Sequence, residues 1–565
     1  SARIRVSAKY VAGSCNKLGA RLLVATSALY ISQHAPRFAQ NSETAVSAMK
    51  FTVLTDAHGA TLDDLRATHK SLVTSGSKQV NWILLGAVPD AVKNLQRRWS
   101  FGRVKIEIQP PALGLGEFVV FLTAGDKLQR ESLLLVSDAL TKAPDTEIIY
   151  GDSAHATGIK AVPLSFSRRP GWSPERLRAH CYVGETLVVR GEVIAHAGKL
   201  EELALCNAHD RALRLTENAT QIVRVPEVLT LTKSTDSRPS ASLEAVVDHC
   251  KRQNIDADCE FESTTPSVRV KRRLSSEPSV AVIVPTRGTS AEVFGKQRVL
   301  VVEAVRSLFE KSTYQNFHVV VVADTPTPSS VLDSLRQIGG DRLQILNYDR
   351  PFNFAEKNNL GAMSCESDLI LLLNDDTEII TAEALEIMVA MFNDPNVGVV
   401  GPMLLFEDST IQSAGHIFSP DPTDLYRAQS PETAGPQNLL RVQREVSSLI
   451  AACALVRRDV FERVGGLCME FPGNWNDIDF CLKVQLAGYR AIFTPHAHLF
   501  HFESKTRIAK RVESEVAKLG ARWGSVLDDD PYFNPNLQRY TNIWKTDSTS
   551  KQSLDEALII LLTVA

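Results

Sequence analysis

From Phe51 onward the chain alternates short apolar runs with longer amphipathic stretches. Phe51-Thr52-Val53-Leu54 reads as a strand and Leu62 to Val73 as a helix. Trp82–Leu85, Val104–Ile108 and Phe118–Leu122 read as further strands. Continuous apolar runs bounded by turn residues suit strands covered on both faces. Their alternation with helical spacing predicts a parallel-rich α/β sheet. Over 231–278 Ser, Thr, Pro and Lys/Arg take over around one helical stretch near Leu243 to Arg252, so this segment reads as a linker, with Lys271-Arg272-Arg273 as a solvated basic run. At Ser279 the pattern restarts more strongly. Val280–Val284 ends in Pro285-Thr286-Arg287-Gly288, Val299 to Phe309 has helical spacing, and Phe317–Val322 ends at Ala323-Asp324. Leu343–Leu346 follows, then Leu369–Leu373 running into Asn374-Asp375-Asp376. The expected division is an extension over 1–48, an α/β domain over 49–230, the linker, a second α/β domain over 279–537 and a tail over 538–565.

Composition narrows the class. At 565 residues, 44% hydrophobic and 22% charged, the chain has the balance of a globular protein. Its 62 basic and 65 acidic residues leave a net charge of −3, which gives no global field for nucleic acid. The longest apolar runs, Leu22–Ile31 and Ala557–Ala565, fall short of the roughly 20 residues a spanning helix needs. Nine scattered cysteines without a C-x-x-C pair argue against a disulfide framework or a zinc knuckle and for a reducing, cytoplasmic setting.

Three clusters could carry chemistry. In open α/β sheets ligands bind beyond the carboxyl ends of strands, where Asn374-Asp375-Asp376-Thr377-Glu378 falls. Paired carboxylates there suit Mg²⁺ or Mn²⁺ shared with phosphate oxygens, although Asp and Thr also cap helices. Asp477 and Asp479, in Asn474-Trp475-Asn476-Asp477-Ile478-Asp479, stand at a predicted helix start, as caps or as a general base for a hydroxyl. His496, His498 and His501 place three of the 13 histidines within six residues, the residue type that most often ligates metals. No dinucleotide, Walker-loop, nucleophile-elbow or zinc-hydrolase template is present.

Taken in order, Val282–Arg287, Pro351-Phe352-Asn353-Phe354, Asn358-Asn359-Leu360-Gly361, Leu371–Glu378, Val464-Gly465-Gly466-Leu467, Asn476–Leu482 and His501-Phe502-Glu503-Ser504 resemble the motifs of inverting family-2 glycosyltransferases of the GT-A fold. The match runs over about 51–537 and is similar in layout to bacterial tandem, rhamnosyltransferase-like enzymes of surface polysaccharide synthesis. The resemblance implies two GT-A-like domains in tandem, the first degenerate. It implies that Asp376, with Asp375 and His501, holds Mn²⁺ or Mg²⁺, and that Asp477 is the base. Pro285, Thr286, Arg287, Asp324, Lys357, Asn358 and Asn374 would border the nucleotide-sugar.

The implied reaction moves a sugar from a nucleotide-sugar donor to a glycan or lipid-linked glycan hydroxyl by one inverting displacement, at the cytoplasmic side and in reach of a membrane face. A non-catalytic carbohydrate-binding scaffold of the same fold is the alternative. In the first half Gly116-Glu117 and Phe118–Leu122 lead to Thr123-Ala124-Gly125-Asp126, with Asp126 as the sole carboxylate, and Ala208 falls where the base belongs. That half is expected to lack its own transferase activity, with Asp210 as a shifted base the competing reading.

Overall fold

The computed structural model describes residues 49–86, 92, 104–108, 118–156, 164–233, 241–418, 421–503 and 512–545. The expected extension (1–48), part of the linker (234–240), the tail from 546, Gly116-Glu117 and Ser504 lie outside the described residues.

Two mixed α/β sheets follow one another. The first contains β1 (Phe51–Asp56), β2 (Val80–Leu85), β3 (Val104–Glu107), β4 (Phe118–Phe121), β5 (Lys127–Leu128), β6 (Ile148–Ala156), β7 (Leu164–Ser167), β8 (Leu187–Arg190) and β9 (Ile222–Thr232). After a hairpin, β10 (Ala257–Glu262) and β11 (Ser267–Arg272), comes β12 (Val280–Thr286), then a second hairpin, β13 (Ser290–Val293) and β14 (Lys296–Val299). The second sheet continues with β15 (Phe317–Asp324), β16 (Leu343–Tyr348), β17 (Leu369–Leu373), β18 (Thr377–Ile379), β19 (Val397–Leu405) and β20 (Ile411–Ser413). A small ribbon, β21 (His416–Phe418) with β22 (Pro422–Asp424), precedes β23 (Arg444–Glu445), β24 (Cys453–Arg457) and β25 (Arg490–His501).

The strand orders coincide. The first sheet runs β3-β2-β1-β4-β8-β6-β9-β5 with β7 on β6, and the second β16-β15-β12-β17-β24-β19-β25-β18 with β20 on β19 and β23 on β25. Each corresponding pair has the same sense: β1 is parallel to β2 and β4 as β12 is to β15 and β17, and β6 is parallel to β9 as β19 is to β25. The chain is therefore a tandem of two modules with one topology. Turns repeat too: Gly59 and Gly288, each eight residues past the first residue of β1 and of β12, hold φ of 68° and 71°, which favours glycine.

The all-apolar strands of the second sheet are its middle. Val280, Ala281, Val282, Ile283 and Val284 are fully buried, and each large aliphatic side chain so buried contributes roughly 1.5–3 kcal/mol. The helix Phe354–Met363 lies directly on β12, because Gly361 lets the backbone approach: a Cβ there would meet Ile283 Cγ2 at 2.4 Å. Asn353 starts this helix by accepting the Glu356 N–H at 3.0 Å. Those two constraints fix Lys357, one turn before Gly361, over the ends of β12 and β15.

The modules are joined through buried polar contacts. The segment expected as a linker holds the helix Leu243–Arg252 and the β10–β11 hairpin. Lys271 and Arg273 are exposed, but strand alternation turns Arg272 inward, correcting its reading as solvated. Both Arg272 Nη2 contacts to the Glu175 carboxylate are 2.9 Å. Arg490 of β25 reaches Glu175, Glu445 and Asp394, and Ser173 donates to Glu445. A C-terminal strap crosses back to the first module: Asn534 Nδ2 donates to both oxygens of Asp152 at 2.9 and 3.0 Å, and Arg224 donates to the Phe533 carbonyl. Among the described residues no helix is long and apolar enough to cross a membrane.

Candidate active site

β12, β15 and β17 end at one rim, and the helix Asn476–Leu486 begins opposite them. Between them lies a cavity of about 700 Å³. Its walls include Pro285, Thr286, Arg287, Asp324, Lys357, Asn374, Asp375, Asp376, Asp477 and His501, so ten of the eleven sequence-derived candidates meet there. Asn358 does not. It is fully buried, donating to the Phe354 carbonyl at 2.9 Å, so its expected place beside the diphosphate is corrected.

The nucleotide side is held by a short relay. Lys357, 2% exposed, donates to Asp324 Oδ1 at 2.8 Å and to the Thr286 carbonyl at 3.1 Å. Burial lowers its pKa, against the raising effect of Asp324. Thr286 Oγ1 donates to Asp375 Oδ2 at 2.6 Å. Burial and the adjoining Asp376 charge push Asp375 up to about 7. Asp375 is thus engaged in ordering the strand ends, whereas Asp376 faces the histidine.

His501 Nε2 stands 3.3 Å from Asp376 Oδ1 and 3.2 Å from Asn374 Nδ2. The pairing follows from register, since Thr377 of β18 lies opposite His501 of β25, and the Phe502 N–H donates to the Asp376 carbonyl at 2.8 Å. Burial lowers the His501 pKa, but Asp376 outweighs it and the net shift is upward. His501 Nδ1 and Asn374 Oδ1 are buried without hydrogen-bond partners. A carboxylate, an imidazole and an orphaned amide oxygen in one corner fit a hard divalent cation whose other ligands come from phosphate. His496 and His498 do not line the cavity.

Asp477 lies across the cavity, in the first turn of its helix, where the dipole favours an anion. The Ile478 N–H donates to its Oδ1 at 2.9 Å and the Ala451 N–H lies 3.4 Å from Oδ2. Burial raises its pKa, partly offset by His416. Trp475, at φ 66°, turns the chain into this helix and lines the cavity, a strained conformation for an aromatic residue of the kind found at functional sites.

A second pair of titratable groups on this wall, His416 and Asp424, carries no motif in the sequence. His416 Nδ1 lies 2.7 Å from Ser448 Oγ and its Nε2 3.3 Å from Asp424 Oδ1, both on the β21–β22 ribbon side of Asp477. A lone histidine in an unpatterned stretch offers nothing by which sequence could have found it.

In the first module the same positions have lost these groups. Counted from β4 and β17, Thr123, Ala124 and Gly125 stand where Asn374, Asp375 and Asp376 stand, and Asp126 arrives one place late, accepting the Lys233 N–H at 2.7 Å. Thr232 lies six residues past Pro226, as His501 lies six past Pro495. Asp210 pairs with Arg214 at 3.0 Å along one helix, as Asp479 pairs with Lys483 at 3.4 Å, so Asp210 corresponds to the ion-paired Asp479 and Ala208 to Asp477.

Residues 278–525 match the family described as Glycosyltransferase like family 2, and the second module belongs to that family. Among curated relatives, the chain is 31% identical over 447 residues to the O-antigen biosynthesis protein RfbC of Myxococcus xanthus, covering 75% of this chain and 34% of that one. It is 29% identical over 454 residues to the uncharacterized protein y4gI of Sinorhizobium fredii (strain NBRC 101917 / NGR234), covering 75% and 48%. The chain thus spans between a third and a half of the length of these relatives. Among solved structures it is similar to the mannosyltransferase PcManGT of Pyrobaculum calidifontis in complex with GDP-Man and Mn2+, at 18% identity, 46% and 68% coverage and a TM-score of 0.32.

Proposed function

We propose that the second module, about 279–537, is a metal-dependent inverting glycosyltransferase that moves a sugar from a nucleotide-sugar to a glycan hydroxyl in surface polysaccharide synthesis. The observation that carries this reading is the single cavity with Asp376 and His501 on one wall and Asp477 on the other. The family match and the similarity to an O-antigen biosynthesis protein support it.

Thr286, Arg287 and Lys357 border the donor, with Lys357 held in place by Asp324. Asp376 and His501 would hold Mn²⁺ or Mg²⁺, which when bound neutralises charge on the leaving diphosphate. Asp477 takes the proton of the acceptor hydroxyl, and burial, by raising its pKa, makes the carboxylate more basic. Attack comes from the face opposite the leaving group, so one displacement inverts the anomeric centre and no covalent nucleophile is required.

The first module, about 49–230, carries no transfer of its own in this reading. Alanine cannot accept a proton, and Asp126 alone is a weak cation site. The deciding experiment is donor hydrolysis and transfer by the full chain with Mn²⁺, across nucleotide-sugars, with Asp477→Asn and Asp376→Ala as controls. Turnover that survives both substitutions and disappears on Asp126→Ala or Asp210→Ala places the chemistry in the first module and rejects the assignment.

A further inference from the structure

The first module has a cavity of its own, of about 820 Å³, at the place in the topology that the metal and acceptor end takes in the second. Its floor is one face of the β7–β6–β9 sheet. Ser167, Ser153 and Thr230 form one cross-strand row there, and Ser165, His155 and Thr232 the next; all six line the cavity. Strand alternation sends Phe166 and Leu231 to the other face, where they cluster with Val228 and with Ala154, which also borders the cavity. The hydroxyl face is therefore a sorted surface, with an apolar reverse that anchors it.

Some of its polar atoms lack partners. His155, 8% exposed, contacts the Thr232 carbonyl through Nδ1 at 3.0 Å and leaves Nε2 buried and unpaired. Thr230 Oγ1, on a residue 2% exposed, is unpaired as well, and so is Oε1 of Gln437, which the second module contributes to the same cavity. Nearly all buried polar groups in folded proteins find a partner, so three orphans around one space mark where an external donor and acceptor would sit.

Charge restricts what that ligand is. Among the described lining residues the guanidinium of Arg169 is spent on the Tyr182 and Gly151 carbonyls and Ser153 Oγ, and Lys233 Nζ is paired with Asp64 at 2.8 Å. Asp126 and Glu185 add carboxylates. A diphosphate finds the N–H donors of Arg169 and Lys233 already engaged and the Glu185 carboxylate as a like charge, beside Asp126, which burial pushes up to about 7. Moreover Asp56, Ala57 and His58, which stand where Pro285, Thr286 and Arg287 stand, do not line it.

We infer that this cavity is a saccharide-binding site that takes a neutral, hydroxyl-rich oligosaccharide without a nucleotide. Rows of hydroxyl, imidazole and amide groups exchange hydrogen bonds with sugar hydroxyls, and the carboxylates accept from them. That the natural ligand is the acceptor glycan rests on the transferase reading above; saccharide binding itself does not.

The test titrates the full chain, with no donor present, with neutral gluco-, manno-, galacto- and rhamno-oligosaccharides at millimolar concentration, by saturation-transfer NMR. Ser165→Trp fills the cavity from an exposed edge-strand position, and Thr230→Val removes an orphan hydroxyl at nearly constant volume. Each is expected to weaken binding about tenfold or more, while nucleoside-diphosphate binding in the presence of Mn²⁺ stays unchanged in Ser165→Trp. Absence of binding across the panel, or binding that both variants leave intact, overturns the inference. A chain that binds saccharide but transfers nothing overturns the function instead.

Discussion

Asp477 and Asp479 stand two residues apart on the first turn of one helix, yet they meet opposite surroundings. Asp477 lines the cavity, while Asp479 is fully buried and accepts from Arg522 at 2.8 Å and Trp523 Nε1 at 2.9 Å. A hundred-degree step per residue carries two such side chains to different faces. The fold itself thus separates the carboxylate free to take a proton from the one that locks the helix against the C-terminal helix Glu513–Asp528.

Asp477→Asn keeps size and removes basicity. Transfer should fall about 10²–10⁴-fold, with donor binding unchanged. Calorimetric titration of the nucleotide alongside steady-state kinetics checks both halves of the statement, and near-normal kcat in the variant would falsify it.

The pH dependence follows from burial. A general base works when ionised, and burial lifts the Asp477 pKa above its usual 3.8, so transfer should decline as pH falls through that raised value. The acidic limb of kcat/KM therefore lies above the ordinary aspartate range. His416 holds the Asp477 pKa down, so His416→Gln should move the limb to higher pH; a limb that stays in place removes His416 from the site.

Chelation should abolish transfer and weaken nucleoside-diphosphate binding, and Mn²⁺ or Mg²⁺ should restore both. His501→Ala should lower the apparent metal affinity, and because His501 is buried beside Asp376 it should also lower the melting temperature with no metal added. Undiminished transfer in excess chelator contradicts the assignment of Asp376 and His501.

Much of this architecture was legible beforehand, for physical reasons. Strands such as Val280–Val284 and Leu369–Leu373 are buried on both faces, so their apolar runs announce themselves, and strand-end placement made Asp376 stand out. Asn358 misled because helix phase, not sequence proximity to Lys357, decides which residue faces the cavity. Arg272 misled because a basic triplet in a strand splits between two faces. His416, Asp424 and the saccharide-type rows of β6, β7 and β9 come together only through long-range pairing, which no local pattern encodes.

The junction between modules should be stiff. Arg490→Met leaves Glu175, Glu445 and Asp394 without their shared cation, and breaking a buried pair costs about 3–5 kcal/mol. Denaturant unfolding should show that loss, with the modules ceasing to unfold together. A change within experimental error would mean the cluster contributes nothing net.

The strap from Asp530 to Trp544 has a consequence for both modules. Asp530 accepts from Phe418 and Ser447 in the second module while Asn534 grips Asp152 in the first. With two modules of one topology stitched together in this way, neither can be removed without exposing the other's seam. On the reading that the first module carries no transfer of its own, the second module's seam would still require it, and its cavity would be free to serve a different ligand.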